Sequence, residues 1–208
     1  MFSPMAFVKR PLVLTYQGET EDTADGTVFT FAGEAIGTAA ADRRVHVLIG
    51  ASGNVGTITG VTIGGITAAI TVQAQDGSAK AGIATALVPT GTTASVVITF
   101  DATQGRCHIG VFSSTGLSSN TPLDTGTSTA DPATDTLASA PGGFCLALGV
   151  SVATTTVAWT AITEQYDVQV EATATMSGAS IVTTGATVSP SGDYAAPGAD
   201  AIAVFATW

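Results

Sequence analysis

Two imidazoles are the first side chains to test for chemistry. His46 and His108 are the only histidines in the 208 residues, and each lies inside an apolar run, Val45-His46-Val47 and Cys107-His108-Ile109. Beside Asp42 or Asp101, either could act as the general base of a hydrolase. No nucleophile elbow, phosphate loop or dinucleotide fingerprint accompanies them, and Gly53, Gly56 and Gly60 are spaced for none of these. A strand histidine packed or hydrogen-bonded in place is the ordinary reading. The sequence therefore nominates no catalytic residue.

Carboxylates offer a second chemistry. Asp124, Asp131 and Asp135 lie in or beside one long polar stretch and could supply oxygen ligands to calcium. They lack the alternating spacing of a dedicated calcium loop, and acids that cap turns are the plainer reading. Glu19, Glu21, Asp22 and Asp25 form an acidic run that reads as a solvated segment before it reads as a cation site. No metal-binding or cofactor-binding residue is nominated.

Aromatics could stack on sugar rings. Trp159 and Trp208 fall inside or at the end of strand-like runs and read as core or sheet-edge residues, whereas Tyr194, set between Asp193 and Ala195 in a turn, is the best candidate for an exposed aromatic. Cys107 and Cys145 each sit among apolar neighbours and read as two buried thiols. Their pairing stays open, since a disulfide needs adjacent strands and an oxidising compartment.

The elements that must position these residues are strands. Val96, Ile98 and Phe100 alternate with Ser95, Val97 and Thr99, and Val168 and Val170 alternate with Asp167, Gln169 and Glu171. Val45, Val47 and Ile49 flank His46 and Leu48, which predicts a strand covered on both faces. Phe144, Leu146, Leu148 and Val150 share one face of another, and Ile202, Val204 and Trp208 share a face opposite Phe205. Gly64-Gly65 and Asp76-Gly77 predict tight hairpins, and Pro89-Thr90-Gly91 and Pro141-Gly142 predict turns. Many short strands with regular turns predict an all-β, antiparallel β-sandwich of jelly-roll-like type over residues 27–208. Residues 1–26 read as an N-terminal arm or extended segment, whose deletion is expected to leave the sandwich folded. Ser113–Pro132 shows no alternation and reads either as a crossing between sheets or as an exposed contact loop.

Composition narrows the function classes. Six Lys and Arg face sixteen Asp and Glu, a formal charge of −10, which argues against nucleic-acid partners. No apolar stretch approaches the ~20 residues of a membrane-spanning helix. The N-terminal sequence does not read as a signal peptide, because Lys9 and Arg10 follow the first apolar residues and Pro4 and Pro11 interrupt them. Charged residues make up only 11% of the chain, so few charges must cover a globule of on the order of 9,000 Å². That scarcity points to a subunit that buries part of its surface against other chains.

Four segments carry a resemblance: VFTFAGEAIGTAAADRRVHVLIGA (from Val28), GVTIGGITAAI (from Gly60), GIATALVPTGTTASVVITFDATQGRCHIGVF (from Gly82) and WTAITEQYDVQVEATATMSGAS (from Trp159). Together they resemble a family of small phage and prophage virion-associated β-sandwich proteins, of the head-decoration, head-spike or tail-fibre type, from Val28 to Trp208. The resemblance implies a non-enzymatic structural component located in the virion. Its partners would be other virion proteins, capsid or tail subunits, and further copies of itself in a homo-oligomer. The shared residues are those of folding, Gly64-Gly65, Pro89, Gly91 and Trp159, so no site residue is transferred. The alternative is an adhesion or carbohydrate-binding module that recognises a host-surface glycan through the long loop and Tyr194. No cofactor is expected.

Overall fold

Period-two alternation builds strands almost everywhere, and a computed structural model of the chain describes them over residues 11–198 and 200–208. In chain order they are β1 (Val13–Asp22), β2 (Gly26–Ala35), β3 (Arg44–Gly53), β4 (Ile58–Ile63), β5 (Ile66–Thr67), β6 (Ala69–Asp76), β7 (Ala79–Leu87), β8 (Thr93–Thr115) and β9 (Asp124–Ser128). They continue as β10 (Ala133–Thr134), β11 (Leu137–Ala138), β12 (Phe144–Ser151), β13 (Val157–Thr160), β14 (Thr163–Val170), β15 (Ala174–Val182), β16 (Thr187–Val188), β17 (Ser191–Tyr194) and β18 (Ala201–Thr207). The fold is all-β, antiparallel and sandwich-like, and no helix occurs among the described residues.

β8 organises the first layer. Its first half pairs with β2 and β4, its second half with β1 and β3, and the sheet continues through β7 to β6. So long a strand lets one sheet curl until it is nearly closed, barrel-like. Between β4 and β6 the wall is bridged by side chains: Gln73 accepts from the Ile58 amide at 2.9 Å and donates to its carbonyl at 3.2 Å, and Gln75 accepts from the Gly56 amide at 3.2 Å. Phe29, Phe31, Val45, Val47, Ile49, Val96, Ile98 and Ile109 fill the inside of the curl.

The second layer is a five-stranded sheet ordered β14-β15-β12-β18-β9. Strand parity divides its side chains between two cores. Phe144, Leu146, Leu148, Ile202 and Val204 pack against Leu48, Ile83 and Phe112 on the outside of the curled sheet. Cys145, Ala147, Ala203 and Phe205 face the other way, towards Leu137, Val157 and Tyr194 of two small flanking sheets, β10-β17-β13 and β11-β16. β12 and β18 are therefore covered on both faces, which explains why their sequences run almost continuously apolar.

The expected hairpins lie where their glycines fall. Gly64 and Gly65 join β4 to β5 with φ of 59° and 78°, and Gly77 joins β6 to β7 with φ of 50°. Residues 13–22 of the segment read as an arm form β1, which pairs with β8 from Val13↔Thr115 to Asp22↔Cys107; Leu14 and Tyr16 pack on the core between the two layers. The arm's residues 1–10 lie outside the described residues. Only part of Ser113–Pro132 is irregular, since β8 runs on to Thr115 and β9 occupies Asp124–Ser128, eight of its twenty residues. The stretch between them carries the chain from the curled sheet to the five-stranded one. It is fixed there: Arg44 Nε donates to Asn120 Oδ1 at 2.7 Å, Trp208 Nε1 donates to the Asn120 carbonyl at 3.2 Å, and the Leu123 amide donates to the Thr207 carbonyl at 2.7 Å.

Candidate functional site

β3 directs His46 out of the curled sheet towards the five-stranded sheet. Its ring meets Phe144 at 5.2 Å and Trp208 at 4.8 Å, both edge to face. Nδ1 lies 2.9 Å from Thr85 Oγ1 and Nε2 lies 2.8 Å from Ser114 Oγ. A serine hydroxyl on an imidazole is the contact of a nucleophile with its base. Two features remove its strength as such. The orienting group is the neutral Thr85 hydroxyl, with no carboxylate on either ring nitrogen, and burial followed by the Arg44 charge pushes the imidazole down to about 3. A base that weak holds almost no proton affinity near neutral pH. His46, Thr85 and Ser114 are also sealed from solvent. The chain of hydroxyl, imidazole and hydroxyl satisfies a buried polar residue and ties β3 to both of its neighbours.

The carboxylates proposed as partners for the histidines stand elsewhere. Asp101 accepts the Thr57 amide at 2.6 Å and its hydroxyl at 2.9 Å, and those bonds hold its carboxyl below the usual range. Asp42 accepts the Gly116 amide at 2.8 Å. His108 contacts Tyr166 instead, at 5.1 Å between ring centres.

Asp124, Asp131 and Asp135 accept backbone amides, some adjacent in sequence and some distant. Asp124 takes the amides of Thr125 and Ala138 at 2.8 Å each, Asp131 takes the Tyr194 amide at 3.1 Å, and Asp135 takes the Thr136 amide at 2.7 Å. Of the N-terminal acids, Asp22 accepts the Ala24 amide at 2.9 Å and Glu19 accepts from the Tyr16 hydroxyl. Among the described residues no group of three or more His, Cys, Asp or Glu side chains could hold a metal ion.

The aromatic expectation is corrected at one residue. Tyr194 is 2% exposed, and its hydroxyl donates to the Ile202 carbonyl at 3.0 Å. Residue 194 ends β17 and points into the core beneath the small sheets, so the turn-like sequence around it concealed an inward-facing strand position. Trp159 donates from Nε1 to Ser177 Oγ at 2.8 Å and meets Phe205 edge-on. Cys107 and Cys145 are free and buried, Cys107 inside the curl and Cys145 beneath the small sheets. Burial pushes the Cys107 thiol up and Cys145 to about 12.

Several hollows mark the surface of the described residues. The smallest, about 190 Å³, lies at the glutamine-bridged seam and includes Lys80, whose Nζ donates to the Ser78 carbonyl at 2.8 Å. Burial pushes this lysine down to about 8, against the opposing pull of Asp200 and Asp101. A second, of about 410 Å³, lies between the paired ends of β1 and β8 and the segment after β2, with Thr15, Gln17, Thr38, Arg43 and Ser113 in its walls. A third, of about 440 Å³, lies at one end of the molecule; Leu12, Leu117, Ser118, Pro141, Val182 and Trp208 are among its lining, and no charged side chain is. It shares Leu117 and Trp208 with an adjoining hollow of about 230 Å³ that extends to Leu123. Periodicity could not have found this groove, because its lining comes from turns and strand ends far apart in sequence.

No protein-family model and no curated protein matches the chain.

Proposed function

We propose that this chain is a non-enzymatic structural component of a phage-type virion, and that it works by packing against further copies of itself and against other virion proteins. The observation that carries the reading is the uncharged groove around Trp208. Val182 and Leu123 stand on its margins, 51% and 55% exposed, on a surface of 8740 Å² that has few charges to cover it. Exposed apolar side chains gathered around an uncharged hollow suit a protein contact better than a solvated face. The sequence resemblance supplies the virion setting.

The test is self-association. Sedimentation of the purified chain at micromolar concentrations is expected to give an oligomer, and Leu123→Asp with Val182→Asp is expected to return it to monomer. A wild-type chain that stays monomeric throughout would remove the oligomer from the reading. Recovery of the chain in purified particles tests the virion location.

A host-glycan module draws no support from Tyr194, since that ring is buried.

A further inference from the structure

The interface between the curled sheet and the five-stranded sheet holds both of the protein's imidazoles, and it treats them differently. His46 has a hydroxyl on each ring nitrogen. His108 is 1% exposed, and neither Nδ1 nor Nε2 has a hydrogen-bond partner; the Tyr166 hydroxyl beside it has none either. A neutral imidazole always carries one N–H, so a buried polar bond is left unmade even before any charge enters.

Tyr166 cannot turn to supply it. Its ring lies over Gly178, its partner on β15, and reaches Gly110 of β8; a Cβ at either glycine would collide with it. Tyr16 of β1 stacks on the other side at 5.9 Å and 24°. The groups around His108 are few. From β1, Glu21 stands opposite it in register, with Glu19 two residues away bonded to Tyr16. From β3, its register partner is Gly50, which brings no titratable group. From β14 comes Tyr166. On β8 itself, Arg106 lies 3.4 Å from Glu171, and Cys107 points to the opposite core. Glu19 and Glu21 are exposed, and neither is hydrogen-bonded to the His108 ring in the closed interface.

We propose that His108 is an acid-operated latch: its protonation parts β14 from β8 and β1 along the margin of the two layers, while β12 and β18 stay packed. The closed interface accepts only the neutral ring, and the opened one releases it to water and to the carboxylates of β1. Burial holds His108 down at about 4 in the closed form, against about 6.5 for a solvated histidine. The open form thus binds the proton more tightly. Closure is full above about pH 6.5, weakens as pH falls towards 4, and loses nothing more from this group below that. This inference is independent of the assembly reading.

The test is hydrogen exchange on the full chain between pH 7.5 and 4, corrected for the intrinsic rate. Once the layers part at this margin, the edge pairings β14–β15 and β1–β8 lose their support and fray, so exchange in β14 and β1 is expected to rise by up to about tenfold per pH unit within the window, while β12 and β18 hold their protection. In His108→Phe, which keeps a ring against Tyr166, the rise should vanish. An identical pH response in wild type and variant would overturn the latch. So would exposure of β12 and β18 in step with β14, which is global unfolding. Should the variant not fold, the wild-type imidazole decides by NMR titration: a midpoint below about 5.5 together with the rise in β14 exchange supports the proposal, and a midpoint at or above that, or a low midpoint without the rise, ends it.

Discussion

Arg43 shows how much structural weight one side chain carries in a charge-poor protein. It is 1% exposed, yet its guanidinium is fully employed: Nε donates to the Val88 carbonyl at 2.8 Å, one terminal nitrogen to Gly37 at 2.6 Å and Gly91 at 2.8 Å, and the other to Thr90 at 2.7 Å. The planar fork binds the segment after β2 to the turn between β7 and β8, a task for which lysine has neither the geometry nor the donors. Arg43→Met, similar in bulk, leaves four carbonyls without this partner. It should cost about 3–5 kcal/mol in urea denaturation, and Arg43→Lys should recover little of it. A loss below about 1 kcal/mol would show that water replaces the guanidinium freely. In sequence, Arg43 is one half of the basic pair Arg43-Arg44. Nothing local said that it turns inward, because the carbonyls that receive it belong to residues more than forty positions away as well as to Gly37.

At the scale of elements, β1 is the instructive strand. Its acidic second half and the short apolar pieces before it read as an arm, because alternation is broken; the register shifts between Tyr16 and Gly18. A β-bulge of this kind hides a strand from period-two analysis. The pairing partner, the second half of β8, restores it. Leu14 and Tyr16 cover Phe112 and Tyr166 from this strand, with Tyr16 5.1 Å from the Phe112 ring. Removal of residues through Asp22 is therefore expected to destabilise the fold by several kcal/mol, on the order of 1.5–3 for each large apolar side chain lost from the core, and to lower the thermal midpoint with it. An unchanged midpoint would mean that β1 is an accessory and that an arm is the better description. The tight turns, by contrast, were legible because Gly and Pro act locally. Gly77 could be read as a turn residue from its type, although the neighbour that a Cβ would strike, Asp200, could not. That carboxylate receives the Ser78 amide at 2.7 Å and its hydroxyl at 2.6 Å and clasps the β6–β7 hairpin to the start of β18.

At the scale of the whole molecule, the formal charge of −10 and the uncharged groove work against each other in assembly. Copies that meet through apolar surface must first overcome mutual repulsion. Raising ionic strength from about 0.01 to 0.15 M shortens the screening length from about 30 to 8 Å, and the sedimentation equilibrium should shift towards the oligomer. Weaker association at higher salt would mean that opposite charges drive the contact, and the uncharged groove would lose its role. The layered core bears on this balance. Because β12 and β18 at the centre of the five-stranded sheet are covered on both faces, their apolar side chains are spent inside the fold, and the exposed large apolar residues fall mostly at turns and strand ends.

The amino-acid order by itself determined the all-β antiparallel class, the inward faces of β3, β8, β12 and β18, and the hairpins at Gly64-Gly65 and Gly77. Each of these follows from interactions over a few residues: side-chain alternation along a strand, or the φ that a turn imposes. Only the tertiary structure decided that β8 belongs to two halves of one curled sheet, that Tyr194 points inward, that His46 meets two hydroxyls while His108 meets none, and that Leu117, Val182 and Trp208 converge on one groove. Those outcomes depend on which strands pair and which layers stack. Pairing energy is nearly the same for many Val- and Thr-rich strands, so it is the packing of the complete set that selects among them.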